Sequence, residues 1–360
     1  RNLTQNIDWI LIGLLLLNSV FGVVFIYSAS HYLPGDYYLK QILWIVLSSI
    51  ALFLILFIDY KTLVTYSFYL YIVIIGVLAG ILFFGKFLGG ARSWIKLPFF
   101  YAQPSEITKI IIILLLTAIF SKFRYEYLTR KKGLISGVLV ALPIFLVGLQ
   151  PDLGTALSYV PIYLASLILA GLNRKAIVYM LIFTIILGVV GWNFVLKDYQ
   201  KKRLTTLIFP GKDPLGSGYH VMQSKIAVGS GGFLGKGYKK GTQSQLRFLP
   251  ARHTDFIFSV IGEEFGFIGV VLTMFFYLLF LLRLFQSIGY SSDREGVYIV
   301  FLVSMMIAFR FIINVMMSVG LFPIAGVPLP LLSYGGSSLL TNYIGVSLVL
   351  NVKMRRFVNV

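Results

Sequence analysis

The sequence predicts an all-α integral membrane protein, and three observations predict it. Of its 360 residues 58% are hydrophobic and only 12% are charged. The mean hydropathy is +0.88. Apolar runs long enough to cross a bilayer recur along the chain, parted by polar breaks. So little polar surface cannot clothe a soluble globule, and helices of roughly 20 residues consume most of the length. The expectation is a single polytopic domain over residues 1–360.

In chain order the runs fall near 7–29, 41–58, 68–85, 104–120, 134–149, 152–171, 176–196, 256–282, 296–320 and 330–352, which makes about ten transmembrane helices. The first run exceeds a signal-peptide core and no small-residue cleavage site follows it, so it reads as a retained helix. With an even number of spans both termini share a side, and the short breaks divide into two sets. One set holds Arg1, Lys61, Lys122, Arg124, Arg130, Lys131, Lys132, Arg174, Lys175, Arg283, Arg294, Lys353, Arg355 and Arg356; the other holds Lys40, Lys86, Arg92 and Lys96. By the positive-inside rule the richer set, with both termini, is cytoplasmic. A long loop, 197–254, between helices 7 and 8 is then extracytoplasmic; long loops cross largely regardless of charge, and loops of this length usually have a job.

Composition also excludes chemistry. Cysteine is absent, and His31, His220 and His253 are scattered, so neither thiolate chemistry nor a histidine metal cluster is expected. The net charge of +18 sits in loops between apolar spans, where membrane orientation and membrane lipids account for it and no nucleic acid is needed. The run from Gly229 to Gly237 is rich in glycine but lacks the Gly-Lys-Ser/Thr ending of a phosphate loop.

Ionisable residues at membrane depth are functional candidates: Glu106, Lys109, Asp152, Asp255, Glu263, Glu264 and Arg310. Helices four, six and eight all begin at the outer face, which places Glu106, Asp152 and Asp255 at outer helix N-termini with Lys109 a turn deeper. Helix N-termini suit an anion such as a diphosphate, and Arg92 and Lys96 in the preceding outer loop add charge. A shared outward-opening cavity holding Arg92, Glu106, Lys109, Asp152 and Asp255 is therefore expected. The plainer alternative is that Glu106 and Asp152 complement helix dipoles, Glu106 pairs with Lys109, and Asp255 caps its helix beside Thr254. Glu263 and Glu264 lie ~12 Å along the helix from Asp255 and Arg310 lies ~15 Å below the outer end of the next helix, so a structural ion pair between Arg310 and one of them is expected. Gly262, Gly266 and Gly269 have a spacing that lets another helix pack closely.

The C-terminal run Asn314, Gly320, Leu321, Pro323, Gly326, Val327 and Leu331-Leu332-Ser333-Tyr334-Gly335-Gly336-Ser337-Ser338 resembles the signature of the SEDS family (shape, elongation, division and sporulation). The stretch Gln223 to Gly232, then Gly241-Thr242-Gln243 and Leu249 to Gly269, resembles its RodA branch, and Gln103-Pro104-Ser105-Glu106 and Pro151 to Thr155 also fit. Ala251 departs from the pattern, in which a glutamate commonly follows the loop proline. The resemblance implies a peptidoglycan glycosyltransferase that polymerises lipid II into a growing glycan strand on the outer face of the bacterial cytoplasmic (inner) membrane, for cell elongation and rod shape, with a class B penicillin-binding transpeptidase as partner. It implies Asp255 as the catalytic base, within an intact His253-Thr254-Asp255 run whose first two residues join the substrate-binding set. It implies no particular cofactor; a divalent cation would suit the diphosphate, with no ligands assigned. A lipid II flippase or transporter and a non-catalytic scaffold of the elongation complex are the alternatives.

Overall fold

The computed structural model describes residues 6–88, 91–96, 101–122, 130–171, 201, 205 and 216–357. The helices are α1 (Trp9–Ser30), α2 (Tyr37–Phe57), α3 (Tyr60–Thr65), α4 (Ser67–Phe84), α5 (Pro104–Phe120), α6 (Arg130–Leu149), α7 (Leu153–Leu157), α8 (Tyr159–Leu169), α9 (Ser217–Ser230), α10 (Thr242–Gln245), α11 (Ile257–Gln286), α12 (Arg294–Ser318) and α13 (Gly336–Met354). Among the described residues six helices are long and apolar enough to cross a membrane: α1, α2, α4, α6, α11 and α12. The expected span 176–196 lies outside the described residues.

Local chemistry sets the helix starts. Asp8, Asp59, Asp152 and Asp293 each accept a hydrogen bond from a backbone N–H of the following first turn, and Pro104 occupies the first turn of α5. The outer surfaces are apolar, with Phe57, Phe84, Val73 and Leu134 among the exposed side chains, as expected where lipid rather than water is the solvent. Helix α12 is central and packs against α5, α8, α11 and α13, while α13 lies along α2.

The structure departs from the expected spans in three places. A small antiparallel sheet of β1 (Lys86–Leu88), β2 (Ala91–Lys96) and β3 (Tyr101–Ala102) fills what reads as a plain loop. The last run does not become helical until Gly336, so residues 321–335 form an irregular segment against the bundle. Helix α11 is broken at Gly266, whose φ of 62° and ψ of −155° are open to glycine and strained for other residues.

The break is filled by the chain itself. The carbonyls of Gly232 and Phe233 accept hydrogen bonds from the N–H groups of Phe267 and Ile268, and the N–H groups of Lys236 and Gly237 reach the carbonyls of Glu263 and Glu264. The glycine-rich run is thus a turn docked on a broken helix, and Gly231 meets the carbonyl of Gly262 too closely for any Cβ. The glycines of α11 accept this turn and α9 rather than a second straight helix. From Phe267 to Gln286 the helix supplies roughly 30 Å, a full span on its own. The preceding turns, which carry Glu263 and Glu264, sit buried in protein.

The two ends of the bundle differ chemically. Where α11 and α13 end, Asp8 gathers Arg283 at 2.9 Å and Lys353 at 2.6 Å, Asp293 gathers Lys61, and Asp59 meets Arg355. Where α5, α7, α11 and α13 begin, a cleft opens.

Candidate active site

The cleft, about 420 Å³, is walled by the starts of those four helices together with β2 and the irregular segment before α13. Gln103 precedes α5, Asp152 caps α7, Asp255 lies two residues before α11, and Gly335 precedes α13. The starts are tied to one another: Gln103 donates through its side chain to Asp152 at 2.7 Å, and its backbone N–H donates to the Ser337 hydroxyl at 3.0 Å. Gly154 makes the close wall possible, because a Cβ there would sit 1.6 Å from the Ala325 carbonyl oxygen.

Glu106 forms part of the cleft floor, and beneath the surface it carries two cations. Lys109 Nζ is 2.5 Å from Glu106 Oε1 and Arg310 Nη1 is 3.1 Å from Oε2; all three side chains are almost wholly buried. Arg310 also donates to the Ser338 hydroxyl at 2.8 Å. Two cations share this carboxylate, and Asp152 lies close enough to interact with Lys109, so the two cations are matched by two carboxylates; the free N–H groups of the helix starts add positive potential of their own. An anion entering the cleft would meet those N–H groups.

Asp255 also lines the cleft, half-buried, with its carboxylate near Gly326. It is presented by a tight turn at Ala251, whose φ is 47° and whose carbonyl accepts from the N–H groups of Thr254, Asp255 and Phe256. Thr254 also borders the cleft. His253 packs between the rings of Tyr37 and Tyr334. Burial and the neighbouring Arg252 charge push its imidazole down to about 4, so it is neutral near pH 7.

The structure therefore brings Glu106, Asp152, Thr254 and Asp255 around one cavity, and it sets other predicted site residues apart. Arg92 is exposed and donates to the carbonyls of Phe83 and Gly85. Lys96 is exposed at the end of β2 and is not among the cleft residues. Lys109 and His253 lie behind the wall rather than on it. Both Arg92 and Lys96 belong to β2, of which Ser93 and Trp94 line the cleft instead.

The expected pairing of Arg310 with Glu263 or Glu264 is corrected: Arg310 bonds Glu106. Glu263 is satisfied by Lys236 at 2.9 Å and by the backbone N–H groups of Gln243 and Ser244, and Glu264 by the Ser28 hydroxyl and Gln245. Matching depths along straight helices assumed no break at Gly266, and it missed that the 231–245 segment folds onto those two carboxylates. Among the described residues no three Asp, Glu or His side chains gather as a metal-binding group.

Sequence reasoning gave no role to Gln103, Asn314, Ser337 or Ser338, because only charged residues were weighed at membrane depth. Asn314, an amide deep in an apolar helix, carried the same kind of signal. Ser93 and Trp94 carried no such signal.

These features define a polytopic helical membrane protein with a carboxylate-bearing cleft built on converging helix starts. The chain belongs to the FtsW/RodA/SpoVE family of cell cycle proteins, whose family model matches residues 8–357. It is 38% identical over 288 residues to the peptidoglycan glycosyltransferase MrdB of Escherichia coli K12, covering 80% of this chain and 78% of that protein. It is 33% identical to the peptidoglycan glycosyltransferase RodA of Treponema pallidum, covering 98% of each. Among solved structures it resembles a chain from a study of how a peptidoglycan synthase complex coordinates polymerization and crosslinking, with a TM-score of 0.83, 31% identity and 98% of each chain covered. The rod shape determining protein RodA of Thermus thermophilus matches with a TM-score of 0.73 and 27% identity, again over 98% of each chain.

Proposed function

We propose that this protein is a peptidoglycan glycosyltransferase that polymerises lipid II, with Asp255 as general base in the cleft. The observation that carries the reading is the placement of Asp255 in one cleft with Asp152 and with Glu106, which holds Lys109 and Arg310 beneath it, in a chain similar along nearly its whole length to proteins named for that activity. In the proposed reaction Asp255 takes the proton from an acceptor sugar hydroxyl. That oxygen attacks the anomeric carbon of the donor with inversion, and the bond to the diphosphate breaks, releasing the polyprenyl diphosphate. The helix starts, with Lys109 and Arg310 behind them, stabilise the negative charge gathering on the departing diphosphate. Thr254, Ser337 and Ser338 offer hydroxyls to the sugars.

The cleft end of the bundle faces outward in this reading. The opposite end, with its ion pairs of Lys61, Arg283, Lys353 and Arg355, faces the cytoplasm of a bacterium whose cytoplasmic membrane the chain crosses. At an outer surface there are no nucleotide sugars, so the donor arrives already activated on a lipid. A class B penicillin-binding transpeptidase is the proposed partner, supported by the similarity to a chain of a peptidoglycan synthase complex.

Glycan formation by the purified protein from lipid II, with and without that transpeptidase, tests the reading. A ladder of polymer is expected. Lipid II movement across vesicles without polymer under either condition would favour a flippase instead.

A further inference from the structure

The peptide that carries Asp255 is held from outside its own helix. The carbonyls of His253, Thr254 and Asp255 precede α11 and each accepts a hydrogen bond from the segment 314–334. The Tyr334 N–H reaches the His253 carbonyl at 2.9 Å, the Ser333 hydroxyl reaches Thr254 at 2.5 Å, and the Asn314 amide reaches Asp255 at 2.8 Å. Three consecutive carbonyls are thereby fixed by one stretch of chain, so the dipeptide before the helix has little freedom to rotate.

Asn314 does more than the other two. Its amide nitrogen carries two hydrogens and uses both, the second on the Val327 carbonyl at 2.8 Å. Val327 follows Gly326, the residue that faces the Asp255 carboxylate. One side chain therefore ties the backbone of the proposed base to the backbone of the wall beside it. Asn314 is fully buried on the central helix α12, one turn beyond Arg310. The Asn314 oxygen has no hydrogen-bond partner among the described residues, so the side chain is held by its two donated bonds.

We infer that Asn314 is a positioning residue for the glycosyl transfer: it sets the distance and direction of the Asp255 carboxylate relative to the Gly326 wall, without touching substrate. The inference rests on the reading of Asp255 as the base. Displacing a base by about 1 Å is enough to cost on the order of a hundredfold in rate, and a side chain that cannot donate to both carbonyls releases that constraint.

The chemistry discriminates among substitutions. Asn314→Leu keeps size and removes both donors. Asn314→Asp replaces the donors with a carboxylate against two carbonyl oxygens. Asn314→His retains one donor at a comparable reach.

The test is steady-state polymerisation of lipid II by purified Asn314→Leu, Asn314→His and Asp255→Asn alongside wild type, with thermal unfolding of each and titration of lipid II binding. Asn314→Leu is expected to lose about tenfold or more in kcat. Its KM and lipid II affinity should stay within about twofold, its melting transition should remain cooperative, and its pH profile should move because the base sits in a changed setting. Asn314→His should recover part of the kcat. Wild-type kcat in Asn314→Leu, with Asp255→Asn inactive, would overturn the positioning role while leaving the base intact. A loss confined to stability or folded yield, with the pH profile and kcat per folded molecule unchanged, would overturn it too. If Asp255→Asn polymerises normally, the base assignment itself fails and the inference falls with it.

Discussion

Arg310 and Glu106 come from helices far apart in sequence and meet at 3.1 Å in the interior, with Lys109 on the other carboxylate oxygen at 2.5 Å. Removing Glu106 strands two buried cations, whereas removing Arg310 leaves a neutral Lys109–Glu106 pair. Glu106→Gln is therefore expected to cost about 3–5 kcal/mol, the range for breaking a buried pair, and Arg310→Met distinctly less. Thermal unfolding in detergent orders the two variants. The reverse order would mean that Arg310 is the group the core cannot lose.

Gly266 supplies a second expectation, this time about the fold. A Cβ there would lie 2.4 Å from the Gly235 nitrogen, on a backbone with φ of 62°. Gly266→Ala should destabilise by at least about 1–3 kcal/mol and should loosen the 231–245 segment from Glu263 and Glu264. Hydrogen exchange at Lys236 and Gly237, whose amides bond α11, reads this out directly. Unchanged protection at those amides would show that the segment does not depend on the break.

His253 gives a pH dependence with a definite sign. Its imidazole is held at about 4 in the folded protein against an ordinary value near 6.5. Between those two pH values the unfolded chain binds a proton that the folded one refuses, so folding stability falls as pH drops from 6.5 toward 4; above that window the group has no effect, and below it the loss is complete and no longer changes with pH. Histidine NMR titration should find His253 neutral at pH 6, and His253→Gln should flatten the acid limb of the stability curve. A histidine titrating near 6.5 would contradict the packing between Tyr37 and Tyr334.

Much of this was legible in the sequence, for reasons that differ from residue to residue. Apolar run length located the helices because a bilayer demands it, and the common starting face of α5, α7 and α11 followed from counting crossings, which is why Glu106, Asp152 and Asp255 were expected together. Depth along a straight helix misled at Arg310, since the break at Gly266 and the refolded 231–245 segment involve long-range contacts that no local pattern records. The outward turn of Arg92 and Lys96 was hidden in a short hairpin inside an apparent loop. Asn314, Ser337 and Ser338 were visible as polar residues in apolar surroundings, yet their partners, Asp255, Gln103 and Arg310, are set only by tertiary packing.

The most direct measurement of the central claim is polymerisation by Asp255→Asn, a substitution that keeps the side chain's size and removes its basicity. The account predicts that the purified variant melts like wild type, binds lipid II with similar affinity, and loses polymerisation by about 10²–10⁴-fold, the usual worth of a general base. Glycan ladders formed by Asp255→Asn at a rate near wild type would contradict it.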